Sequence, residues 1–352
     1  MKRFVLLIIW LCALLGGCDA LDTLQESPQG DGFIELELVP QYGPPGTRAG
    51  GQPGPDDKIW DGVILEFDGA GNLLEMQQFS GDDLPAIRVR KHQELSIYVI
   101  ANPTRDFRGV STLEGFLSTQ SDYKSNTLER MEMLGHFEGS FSADSRVTVN
   151  MQRMLAKIQV DRMVFRIASS NTNYTGIYFT RGYMEKTPAS CGYDLSLPGN
   201  FVNSYSMNIA IGCNDYSGKS NHYMQGEYKV WEYNYPWSVY CYPNDSEDRE
   251  QRNRLAVSYR LLYLVPGTDS ETGESVVIPR YNDACFHIVL PPLRPNTIYE
   301  LVELKLNGAR NGTVYLKSGD GLQEDQSTCV FRMTDLTSGE FLGLEEGEVC
   351  YE

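Results

Sequence analysis

Phe33-Ile34-Glu35-Leu36-Glu37-Leu38-Val39 sets Ile34, Leu36 and Leu38 on one side of an extended chain and Glu35 and Glu37 on the other. A period of two is the mark of a strand with one buried face. Its three apolar side chains need a partner layer, and the rest of the chain is rich in segments of the same kind. Immediately downstream, Gln41 to Lys58 is dominated by Gly and Pro and carries Arg48. Such a stretch continues neither a ladder nor a helix, so it reads as an exposed loop.

Upstream, Lys2 and Arg3 precede an apolar run from Phe4 to Leu15. A membrane-crossing helix needs about 20 such residues, so the run reads as the core of an export signal over residues 1–17. It closes on Leu15-Gly16-Gly17-Cys18, which resembles a bacterial lipobox with Cys18 as the lipidated residue. The polar segment 18–32 then reads as a tether to the first strand.

The whole chain carries 30 basic and 47 acidic residues, and loss of Lys2 and Arg3 with the leader leaves 28 against 47, a formal charge of −19. A surface so acidic repels phosphate backbones, which argues against a nucleic-acid partner. Beyond Cys12 of the leader and Cys18, six cysteines remain: Cys191, Cys213, Cys241, Cys285, Cys329 and Cys350. An even number in an exported chain predicts up to three disulfides, their connectivity open. All six fall in the second half, so the first half must hold by packing alone.

Along the chain, Val63, Leu65 and Phe67 alternate before the turn Asp68-Gly69-Ala70-Gly71-Asn72, and the apolar run resumes at Leu73, which predicts a hairpin. The Asp68 and Asn72 spacing is not a calcium loop, because Phe79 stands where a bidentate Glu is required. Leu95, Ile97 and Val99 mark a strand over 94–101. Ser111-Thr112-Leu113-Glu114 forms a capping box for a short helix to about Ser118, and a second short helix is predicted over 126–134. Val147, Val149 and Met151 open a long strand that continues to Val160, with a domain boundary beside it at 155/156.

Residues 169–245 change character, holding twelve of the 21 tyrosines together with Trp231 and Trp237. Two readings stay open: a contact surface for glycans or proteins built on those tryptophans, or a strand-rich segment that uses Tyr for its β-propensity. Further strands are predicted over 255–265, 285–290, 298–306 and 330–336. Cys329 and Cys350 bracket the last pair of strands as the ends of a stapled hairpin. Many short strands with turns between them give a mainly β chain, two sandwiches with a few short helices.

Catalytic patterns are missing. His92, His136, His222 and His287 are scattered without metal-ligand spacing, and no nucleophile elbow, phosphate loop or dinucleotide glycine pattern occurs. No catalytic residue, metal or cofactor is assigned, and a non-enzymatic role is expected.

Several motifs together resemble the fimbrillin-type lipoproteins of Bacteroidales type V pili. They are the lipobox at Cys18, Thr47-Arg48-Ala49 after a first strand, Val63 to Gly71, and Ile97 to Asn102 before Ser111-Thr112-Leu113. Met151 to Val160, Tyr242-Pro243-Asn244 and Pro295-Asn296-Thr297-Ile298-Tyr299 complete the set. The resemblance implies two tandem transthyretin-like β-sandwiches, over 33–155 and 156–352. It further implies cleavage after Arg48 and loss of the first strand, with Ile34, Leu36 and Leu38 as the plugs of a groove. A neighbouring subunit's strand then fills that groove. The chain departs from a stalk subunit after Leu306, where it lacks a late Trp and carries a cysteine-bounded tail, so the anchor, accessory or tip role is the expected one. The expected partners are other fimbrial subunits, the outer membrane through the lipid, and a host or bacterial surface ligand. The expected place is the outer membrane surface. The alternative is a surface lipoprotein that binds glycans through its Tyr/Trp-rich second domain.

Overall fold

The computed structural model describes residues 30–40, 58–81, 83–168, 174–196, 200–202, 210–211, 221–234, 236–244, 246–307, 329–335, 341–346 and 348–350. The leader, Cys18, Arg48 and Cys213 lie outside them. The described chain is mainly β with three short helical turns.

The first eight strands are β1 (Asp31–Pro40), β2 (Asp61–Asp68), β3 (Leu73–Ser80), β4 (Ile87–Arg90), β5 (Glu94–Ala101), β6 (Gln120–Asp122), β7 (Met133–Ser140) and β8 (Ser145–Arg153). Seven of them make one sheet in the order β3-β2-β5-β7-β8-β1-β4. The β7–β8 ladder holds only two registered pairs, Met133 with Arg153 and Leu134 with Gln152. There the sheet folds over, and β1, β4 and β8 cover the inner faces of β2, β5 and β7. Ile34, Leu36, Ile64, Ile87, Val89, Ile97, Val99, Val147 and Val149 fill the space between.

The continuous apolar run of β2 has its reason in this arrangement. Ile64 faces that core, while Val63, Leu65 and Phe67 face a second one with Tyr98, Ile100 and Phe116. A strand covered on both faces loses its alternation. Phe116 comes from the short helix α1 (Leu113–Leu117), whose N-cap is Thr112, accepting from the Gly115 amide at 3.1 Å; the cap falls one residue after the Ser111 that the capping box predicts, and Gly115 rather than Glu114 takes the third position.

The later strands are β9 (Ala156–Val160), β10 (Met163–Ala168), β11 (Tyr174–Glu185), β12 (Thr187–Pro188), β13 (Ser190–Gly192), β14 (Phe201–Val202), β15 (Ala210–Ile211), β16 (Asn221–Gln225), β17 (Tyr228–Tyr233) and β18 (Trp237–Cys241). They continue with β19 (Arg254–Thr268), β20 (Ser275–Val289), β21 (Thr297–Asn307), β22 (Cys329–Asp335), β23 (Phe341–Glu346) and β24 (Glu348–Cys350). One sheet runs β15-β18-β9-β21-β10-β17-β16, with β22 and β23 attached to β21, and the other runs β11-β19-β20-β24. Their shared core includes Ile158, Phe165, Phe179, Val257, Tyr259, Tyr299 and Phe331.

Two local expectations give way. The stretch 126–134 is not helical: a 3-10 turn covers Tyr123–Ser125, Thr127 bridges Arg130, and β7 begins at Met133. Asn126 spends its side chain on the backbone, donating to the Asp122 carbonyl at 3.1 Å and accepting from the Glu132 amide at 2.9 Å. Such bonds compete with a helix. The long strand 147–160 is two strands, broken at Met154-Leu155. Asn296 holds the break, accepting from the Arg153 amide at 3.2 Å and donating its own amide to the Leu155 carbonyl at 3.1 Å.

Candidate functional site

β1 is held on both sides. Residues 34–40 pair in parallel with 145–151 of β8, and residues 31–34 pair antiparallel with 87–90 of β4. Sequence alternation then decides what faces inward. Ile34 is fully buried, Leu36 is 8% exposed and Leu38 packs at the rim of the same core, while Phe33, Glu35 and Glu37 look outward. Ile34, Leu36 and Leu38 thus lie along one face of β1, against one core.

The polar ties on β1 are exposed ones. Asp31 meets Arg88 at 2.6 Å, Glu37 meets Arg146 at 3.4 Å, and the Phe33 amide donates to Asp144 at 2.9 Å. Exposed ion pairs contribute about 0–1 kcal/mol each. The strand is therefore held by its backbone ladders and by three apolar side chains worth about 5–8 kcal/mol before ordering costs. Both are interactions that another strand with alternating apolar residues can reproduce. The groove's second wall, Ile87 and Val89 on β4, escaped the sequence reading. Its signal is present as the short alternation Ile87-Arg88-Val89-Arg90.

The chain that returns to the fold at Lys58 is pinned. Buried Asn102, at φ 52°, accepts from the Trp60 amide at 2.9 Å and donates to the carbonyls of Lys58 at 2.8 Å and Met131 at 2.9 Å. The Trp60 indole donates to the Glu129 carbonyl at 2.7 Å. Residues 41–57, Arg48 among them, therefore join two secured points, the end of β1 and Lys58.

The two tryptophans expected at a contact surface point inward. Trp231 is 4% exposed and Trp237 is 2% exposed, the latter stacked on Phe179 at 5.6 Å between ring centres. Tyr233, Tyr240 and Tyr242 are buried with them. These aromatic residues fill the interior, whereas Tyr223 is exposed, and the two buried indoles are not placed to meet a glycan.

Two of the six cysteines expected to form disulfides, Cys191 and Cys241, are buried free thiols, and Cys285 is half-buried with the Ser258 hydroxyl at 3.4 Å. The stapled hairpin takes another form as well. β22 pairs with β23, but Cys350 lies beyond that hairpin in β24 and pairs with His287 of the other sheet. Among the described residues no group of three or more His, Cys, Asp or Glu side chains is arranged to hold a metal.

No family model matches the chain, and no curated protein matches it in sequence. Solved structures do share its fold. A candidate cell adhesion protein from Bacteroides eggerthii superimposes with a TM-score of 0.55 at 17% identity, covering 88% of this chain and 98% of its own. A candidate cell adhesion protein from Parabacteroides distasonis gives a TM-score of 0.50 at 14% identity, covering 90% and 96%. A fimbrilin from Porphyromonas gingivalis gives 0.50 at 11% identity, covering 83% and 94%. At such identities the likeness is one of fold, the mainly β double-sandwich architecture.

Proposed function

We propose that the chain is a structural component of a cell-surface fimbria, non-enzymatic, held to the outer membrane by lipid on Cys18 and joined to neighbouring subunits by strand exchange at the seat of β1. The observation that carries this reading is β1 itself. It is the first strand of the fold, it fills a groove between β8 and β4 with three alternating apolar side chains, and a Gly/Pro-rich segment with Arg48 follows it. A cut after Arg48 would sever β1 from everything downstream, leaving ladders and packing as its only hold. Loss of the strand would open the edges of β8 and β4 and the apolar groove between them, a template for an incoming strand. An uncut chain would keep β1 and present no groove, which suits an anchor, accessory or tip subunit. In this scheme residues 33–155 and 156–352 act as the two units, and the first carries the exchange site. The fold shared with a fimbrilin supports the same reading.

The test uses a chain cut by an arginine-specific protease and freed of residues before Ala49. Binding of a Phe33–Val39 peptide by this form, and not by the uncut chain, is the expected result. Failure of the cut form to bind that peptide, together with failure to recover any other fimbrial subunit from fimbriated cells, would overturn it. Diacylglycerol on the Cys18 peptide, read by mass spectrometry, tests the anchor separately.

A further inference from the structure

β4 and β8 flank β1 with their apolar residues turned inward, and what they turn outward is basic. The exposed positions are Arg88 and Arg90 on β4 and Arg146, Thr148, Asn150 and Gln152 on β8, with no carboxylate among them. The chain as a whole carries 47 acidic residues against 30 basic ones, so three arginines without an acid on these two strands run against its composition.

The acids of this face are supplied by β1. Asp31, Glu35 and Glu37 lie on its outward side by the period of two, and the ladders bring them to the arginines. Asp31 stands opposite Arg90 and meets Arg88 at 2.6 Å. Glu35 stands opposite Arg146, which meets Glu37 at 3.4 Å. Asp144, just ahead of β8, spends a carboxylate oxygen on the Phe33 amide at 2.9 Å. With β1 in place the strands set three acids among three arginines, and without it they present the arginines alone.

The same ladders fix direction and register. Residues 34–40 run parallel to β8 and residues 31–34 antiparallel to β4, so a replacement strand keeps both ladders only by running as β1 runs. Ile34 belongs to both ladders, is fully buried opposite Ile87, and marks the origin of the register.

We propose that the seat of β1 selects its incoming strand by charge as well as by apolar pattern, taking from a neighbouring subunit a strand that alternates apolar and acidic residues. Counted from the residue that replaces Ile34, further apolar side chains fall at the places of Leu36 and Leu38, and acids at those of Asp31, Glu35 and Glu37. The inference rests on strand exchange at this seat and adds which strand is taken. Opposite charges across the ladders speed docking, and a basic strand is rejected by like charge against Arg88, Arg90 and Arg146.

The test uses the Arg48-cut chain freed of residues before Ala49 and three peptides spanning Asp31–Val39. One is native, one carries Asp31→Asn, Glu35→Gln and Glu37→Gln, and one carries Asp31→Lys, Glu35→Lys and Glu37→Lys. At neutral pH and about 0.05 M salt the native peptide is expected to bind about tenfold tighter than the neutral one, and the lysine peptide weakest. At about 0.5 M salt, where screening acts over a few ångströms, the three are expected to converge. A cut chain carrying Arg146→Glu is expected to prefer a Glu35→Lys, Glu37→Lys peptide to the native one. Equal binding of the native and lysine peptides at low salt, an order that salt leaves unchanged, or an Arg146→Glu chain that still prefers the native peptide would each overturn charge selection and leave strand exchange standing. Failure of every peptide to bind would overturn both.

Discussion

The Tyr193 hydroxyl donates to the Glu132 carboxylate at 2.6 Å, joining residues 61 apart in the chain at the heart of a buried cluster. Glu132 is fully buried and also accepts from the Thr104 amide at 2.9 Å and the Thr104 hydroxyl at 3.1 Å. Tyr242 reaches the same cluster through Ser121 and through Asn126 at 3.2 Å. Segments from both halves of the chain are thereby pinned at one polar point inside an apolar core.

Tyr193→Phe keeps the ring and removes the donor, leaving a buried carboxyl oxygen short of a partner. A loss of about 1–3 kcal/mol is expected in urea unfolding. Tyr223→Phe, on the exposed strand β16, serves as the control and should change nothing measurable.

Glu66 is 3% exposed, and burial, followed by the facing Glu75 carboxylate, pushes its pKa up to about 7. The folded state then holds a proton that the unfolded chain releases near 4.5. Stability from this group is greatest below the unfolded value and is lost as pH rises through about 7. Glu66→Gln should therefore raise stability at pH 8 by about 2 kcal/mol and leave it nearly unchanged at pH 4. Melting curves at the two pH values check the difference.

A Cβ on Gly182 would sit 2.3 Å from the Trp237 ring. The ring is clamped by Phe179 and cannot retreat freely. Gly182→Ala is expected to cost about 1–3 kcal/mol and to shift tryptophan emission to the red. Gly109→Ala adds a Cβ that meets nothing within 4 Å and should leave the emission alone.

Along β1, Ile34→Ala should cost about 2–5 kcal/mol and Leu38→Ala, at the rim, clearly less. Asp31→Asn, which breaks an exposed pair with Arg88, should cost under about 1 kcal/mol. Thermal melts of the three variants give the order. An equal cost at all three positions would show that the strand is not held by its apolar face.

The alternation of β1, the hairpin of β2 and β3 around Asp68, the short helix that follows Ser111 and the strands from 255 onward were legible, because each is encoded in a few neighbouring residues. The Asp68 carboxylate accepts from the amides of Ala70 at 2.9 Å and Asn72 at 2.8 Å, which is why that turn reads so clearly. The helix expected over 126–134 failed because Asn126 and Glu132 answer to distant partners. The break at Met154-Leu155 depends on Asn296, far along the chain. The inward turn of Trp231 and Trp237 could not be read either, since aromatic residues suit a core and a contact surface equally well.

The sequence by itself determined where the chain is extended, which face of each strand is apolar and where turns interrupt it, since period and turn chemistry act over a few residues. Only the tertiary structure decided which strands meet. It set β1 between β8 and β4, and it gathered Arg88, Arg90 and Arg146 around the acids of β1. Those pairings come from burying apolar faces against whichever distant segment fits, and no local pattern carries that information.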